Sequence, residues 1–184
     1  MYGMIHRAAR QMVTEQLGAT VWGQIETAAG VSEDHFISGA TYEDRITLSI
    51  IDATAVVTGT GAADVLRDFG QYWIRFAGES AFASVMEMAG DDLPAFISNL
   101  NRMHGAIQSS MPSAILPEFV LVHHDATGLS VRYISDRSGL EPFVAGLLEG
   151  LLNRFGIDGE VSWSSDGATP VFKIAYHQPP AALV

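Results

Sequence analysis

The chain has 184 residues, 48% of them apolar, which is enough for one well-filled core and makes a single domain over residues 1–184 the first expectation. Ten Lys and Arg stand against 21 Asp and Glu, a formal charge of −11 that repels phosphate backbones and anionic lipid, so neither nucleic acid nor a membrane surface is an expected partner. With no cysteine there are no disulfides, no thiolate chemistry, no zinc-thiolate site and no thioether-linked cofactor. Residues 1–10 hold two Arg and no apolar signal-type stretch, and no run approaches the roughly 18 apolar residues of a membrane span, so a soluble cytoplasmic protein is expected.

Apolar residues recur every three or four positions through residues 1–110, which predicts a mainly helical first part. Met4, Ala8, Met12 and Leu17 mark a first helix, and Val21, Ile25 and Ala28 a second that stops at Gly30. Short helices and polar turns follow. Over 42–58, Ile46, Ile50, Ala53 and Val57 favour a helix over the brief alternation of Ile46, Leu48 and Ile50. Val65, Leu66, Phe69, Trp73 and Phe76 form an aromatic stripe within 62–77, and Phe96, Ile97, Leu100, Met103, His104 and Ile107 another within 93–109.

After Met111-Pro112 the period changes to two. Residues 119–124 and 129–135 predict strands around an Asp125-Ala126-Thr127-Gly128 turn, and Phe143, Leu147, Leu148, Leu151 and Leu152 a helix ending near Phe155-Gly156. Two more strands, 160–164 and 171–176, flank the turn signal Ser165-Asp166-Gly167, and 179–184 predicts a loose tail. Helices followed by an antiparallel sheet over 111–178, with one long helix, is an α+β arrangement whose halves are expected to share one core.

His104 lies on the apolar stripe of its helix. On spacing alone, a core histidine satisfied by a carbonyl is the commoner outcome; the other is an axial ligand to haem iron, bound through one neutral nitrogen. Tyr133, Ser135 and Arg137 alternate in an expected strand, so they project to one face as three donors suited to a carboxylate such as a porphyrin propionate, although a polar strand face has the same pattern.

Together these residues resemble a known family. Tyr-x-Ser-x-Arg at 133–137, about 30 residues after His104, is similar to the signature of the haem nitric oxide/oxygen binding (H-NOX) domain. The resemblance extends through Met1-Tyr2-Gly3, Phe69-Gly70-Gln71-Tyr72-Trp73, Leu93-Pro94 to Asn99-Leu100, Pro117, and Gly139-Leu140 with Pro142. It implies heme b as cofactor, His104 as its proximal ligand, Tyr133, Ser135 and Arg137 as the propionate clamp, and Pro117 pressing on the porphyrin. Ile5, Ala9, Leu66, Trp73 and Phe143, with Met4 nearby, would line the distal pocket.

Where oxygen-binding members of that family carry a distal tyrosine, this chain has Pro142, which implies a sensor for nitric oxide, with carbon monoxide a second candidate gas, and exclusion of oxygen. Such a domain is no enzyme. It would signal through release or shift of His104 to a separate histidine kinase or cyclic-di-GMP enzyme. Two other classes stand beside it: a haem-free binding module for a hydrophobic carboxylate anchored by Arg137, and a metal-dependent hydrolase or deaminase using His123 and His124. Adjacent strand residues face opposite ways, which disfavours the latter. Gly59-Thr60-Gly61-Ala62-Ala63-Asp64 only superficially resembles a dinucleotide loop, since Asp64 would face phosphate.

Overall fold

The computed structural model describes residues 1–165 and 169–177. Its first part comprises α1 (Gly3–Leu17), α2 (Ala19–Ala29), a 3-10 turn (Glu33–Phe36), α3 (Asp44–Thr58), α4 (Ala62–Gly78), α5 (Ala83–Glu87) and α6 (Leu93–Ser110). α2 ends as expected at Gly30, which adopts a φ of 66° that costs glycine nothing. α6 starts after Asp92, whose carboxylate accepts the Ala95 N–H at 2.7 Å, with Pro94 in the first turn where a missing N–H does no harm. Among the described residues no single helix is long and apolar enough to cross a membrane.

β1 (Glu118–Asp125) and β2 (Gly128–Ile134) form the expected hairpin, with Asp125 opposite Gly128. The Asp125 carboxylate closes the turn by accepting the Thr127 N–H at 2.7 Å and hydroxyl at 2.6 Å. α7 (Glu141–Phe155), β3 (Gly159–Ser164) and β4 (Val171–Tyr176) complete an antiparallel sheet of order β1-β2-β4-β3. The turn signal at Asp166-Gly167 and the expected tail at 179–184 lie outside the described residues.

Two expectations need correction. β2 ends at Ile134 instead of Ser135, because the Ser135 hydroxyl accepts the Arg137 N–H at 3.1 Å and turns the chain out of the sheet. The apolar residues also gather in two clusters, not in one shared core. One lies among α1 to α4 around Ile25, Ile50 and Phe69; the other lies between the sheet, α6 and α7 around Phe96, Leu148 and Phe172. Trp73 packs against both.

α4 and α7 form the seam. A Cβ at Gly70 would meet the Phe143 backbone and one at Gly146 the Arg67 backbone, so the two helices approach with almost no side-chain volume between them at that point. Arg67 and Glu149 pair beside this crossing, and Gln71 donates to the same carboxylate at 2.8 Å.

Candidate functional site

Leu93, Phe96, Ile97 and Leu100 anchor the first half of α6 in the core, while His104 one turn later is only half-buried. Its ring stands 6.0 Å from that of Phe119, and Nδ1 lies 2.9 Å from the Pro117 carbonyl oxygen. A carbonyl can only accept, so Nδ1 carries the hydrogen, and in the neutral ring Nε2 keeps its lone pair. Burial pushes the imidazole pKa down, opposed by the Pro117 bond. His104 is therefore a neutral imidazole with one nitrogen committed to backbone and one left for a ligand-accepting atom.

Tyr133 is buried in β2 opposite Phe119, ring centroids 5.4 Å apart, and burial raises its phenol pKa against a hydrogen bond with Ser135. Ser135 and Arg137 follow in the loop to α7 instead of the strand itself, yet they line one cavity of about 150 Å³ with Tyr133. Its hydroxyl and guanidinium lining suits a carboxylate. Asp136 and Glu141 line it too, which leaves Arg137 as its attractive group for an anion.

Arg137 is already engaged. Nε donates to Asp44 Oδ2 at 2.6 Å and Nη1 to the Ile115 carbonyl at 2.8 Å, while Asp44 also accepts from the Met1 amino group at 2.9 Å. These cations hold the Asp44 carboxyl below the usual carboxylate range. A guanidinium has five N–H groups, so even with Nη2 leaning on Asp44 two remain for a guest carboxylate. Sequence reasoning missed Asp44: beside Glu43 at a helix start it reads as an ordinary surface acid.

Of the residues expected to line an apolar pocket, Ala9 is buried and Met4, Ile5, Leu66, Trp73 and Phe143 are half-buried, on α1, α4 and α7. Ile5, Leu66, Trp73 and Phe143 pack against the helical cluster, with Phe143 5.4 Å from Phe69 and Trp73 stacked 5.6 Å from Phe76. Pro142 sits in the first turn of α7 and Pro117 between α6 and β1. His123 is exposed and bonds Asp125 at 2.9 Å; among the described residues no group of three His, Cys, Asp or Glu side chains could hold a metal ion, so the hydrolase reading gains no support. A neutral imidazole with a free nitrogen, a guanidinium with unspent donors and a set of half-buried apolar side chains are the donor set that a non-covalently held haem requires.

The Haem-NO-binding family profile matches residues 2–163. The chain belongs to this family. Its members are haem-based gas sensors that signal to partner proteins, and the family module is not itself catalytic. Soluble guanylate cyclase gcy-37 of Caenorhabditis elegans is 30% identical over 154 residues, 80% of this chain and 21% of that protein, and gcy-31 of the same organism is 25% identical over 151 residues, 82% and 22%. The chain thus spans about a fifth of the length of these curated relatives.

Solved structures agree on the fold. An H-NOX protein from S. oneidensis in the Fe(II) state, a triple mutant, superposes with a TM-score of 0.86 at 20% identity over 98% of both chains. The Fe(II)NO form of an H-NOX protein from S. oneidensis gives 0.84 at 20% identity, covering 97% of this chain and all of that one, and the K. algicida protein 0.79 at 20% over 97% of each. The expected α+β H-NOX fold is the fold this chain adopts.

Proposed function

We propose that residues 1–184 act as one cytoplasmic H-NOX domain that holds heme b non-covalently, with His104 as the residue that would bind its iron through Nε2. Tyr133, Ser135 and Arg137 would hold the propionates, Pro117 would pack against the porphyrin, and Ile5, Ala9, Leu66, Trp73 and Phe143, with Met4 beside them, would line the gas pocket. When bound, the haem supplies a ferrous centre that accepts a diatomic ligand. The observation that carries this reading is the hydrogen bond from His104 Nδ1 to the Pro117 carbonyl, which orients the ring, fixes its tautomer and raises the basicity of the free nitrogen.

Pro142 offers no hydrogen-bond donor, so at that position nothing stabilises the polarised oxygen molecule, whereas nitric oxide and carbon monoxide depend less on such help. Trp73, stacked on Phe76, serves as packing. The sensor reports to a separate protein, a histidine kinase or a cyclic-di-GMP enzyme, and does so only as far as that partner distinguishes the two positions of His104.

Haem-reconstituted, reduced protein is expected to show a Soret band that is the same under air and argon and changes with nitric oxide. His104→Ala is expected to lose the histidine-ligated spectrum and to regain it with added imidazole. A wild-type spectrum in that variant, a stable complex with oxygen, or a folded protein that ignores haem and binds a fatty acid would sink the reading.

A further inference from the structure

Asn101, His104 and Gln108 share one stripe of α6, three and four residues apart. All three reach across to the segment 114–119. Gln108 Nε2 donates to the Ala114 carbonyl at 3.0 Å and His104 Nδ1 bonds the Pro117 carbonyl at 2.9 Å. Asn101 uses both ends of its amide on Phe119, accepting the N–H at 2.9 Å and donating to the carbonyl at 2.7 Å.

The last of these is different in kind, because Phe119 belongs to the sheet. β1 is an edge strand, and although Phe119 stands opposite Tyr133, the Tyr133 N–H goes to the Pro170 carbonyl at 3.0 Å. The backbone groups of Phe119 therefore face away from β2, where an edge strand would leave them to water, and the Asn101 amide pairs them as a further strand would. Two bonds of opposite sense fix position along the strand. Ala114 and Pro117, held by the other two rungs, precede the sheet. The Phe119 ring also lies between those of His104 and Tyr133, tilted against each, with centroids 6.0 and 5.4 Å away.

We propose that Asn101 is a positioning residue that locks the His104 helix to β1 in one register, so that a displacement of His104 is carried into the sheet and not absorbed by α6 sliding over it. This rests on His104 being the haem ligand, which the wild-type spectrum and its loss in His104→Ala test separately. Without Asn101 the helix keeps its rungs to the connecting segment only, and that segment bends before the strand must move.

The experiment is hydrogen exchange by mass spectrometry on the full, haem-loaded ferrous chain, with and without nitric oxide. In the wild type, nitric oxide changes exchange in peptides of both α6 and β1. Asn101→Ala keeps wild-type haem content and Soret position, speeds exchange of the Phe119 amide about tenfold, and loses the response in β1 while keeping it in α6. Asn101→Asp, which retains the acceptor and loses the donor, falls between them and carries the test if the alanine variant does not fold. An unchanged β1 response in Asn101→Ala, loss of the α6 response along with it, or a wild type in which nitric oxide alters neither element overturns the proposal.

Discussion

His6 and His104 divide the molecule between them. His6, in the helical half, is 0% exposed, and both its nitrogens are taken: Nδ1 lies 2.7 Å from the His35 carbonyl and Nε2 2.8 Å from the Thr47 hydroxyl. The rings of Tyr42 and Phe36 pack around it at 5.3 and 6.3 Å. His104, in the sheet half, is half-buried and commits one nitrogen. A buried polar group with every partner supplied binds elements together, here α1 to the 3-10 turn and α3; one with a lone pair to spare is open to chemistry. The same side chain serves as a rivet in one half and as a candidate ligand in the other, and bonding partners make the difference.

Truncating each histidine separates the two roles. His6→Ala strips partners from the His35 carbonyl and the Thr47 hydroxyl and opens a void in the core, an expected loss of about 3 kcal/mol in urea denaturation of the haem-free protein. His104→Ala, with one bond to lose, is expected to cost about 1 kcal/mol in the same assay. The reverse order would show that His104 is the structural residue and His6 the spare one.

The seam between the halves makes a second test. Gly146→Ala places a methyl group against the Arg67 backbone, and pushing α4 from α7 is expected to cost about 2 kcal/mol. Gly23→Ala, in α2 where a Cβ meets nothing within 4 Å, should instead stabilise by about 0.5–1 kcal/mol. Equal effects at the two positions would mean that the close approach at Gly146 does not constrain the fold.

The smallest effect is on pH dependence. Burial, the largest cause, lowers the pKa of His6 from its ordinary 6.5, opposed by the bond to His35. The fold thus keeps His6 neutral where the unfolded chain takes up a proton. Stability is full above the unfolded value, falls as pH drops through 6.5 toward the lowered folded value, and levels off below it. His104 shifts the same way. His6→Gln should flatten most of this slope; if His104→Gln flattens it more, the sheet half carries the acid sensitivity.

The long helices and the four strands were legible because burial of one face imposes a period that survives in the sequence. α5 was not, since five residues span too few turns to show a period. The end of β2 was misplaced because a serine hydroxyl competes with the ladder for the backbone, and a string of alternating residues does not reveal which of the two wins. Of the candidate site, His104 and the Tyr133, Ser135, Arg137 trio were legible as residue types at a spacing, while Pro117 was placed by the family resemblance alone. His6 was not, because a histidine between Ile5 and Arg7 near a helix start looks like a surface residue.

The α+β class, the acidic cysteine-free character and a resemblance strong enough to name a family were all readable from the sequence, because they depend on local spacing and composition. Tertiary structure alone decided which polar groups find partners. Asp44 meets Arg137 across 93 positions, Thr47 meets His6 across 41, and Asn101 meets Phe119 across 18. Hydrogen bonds act over about 3 Å of space, whatever the distance along the chain, so only the packed fold could show that His6 has no lone pair left and His104 has one.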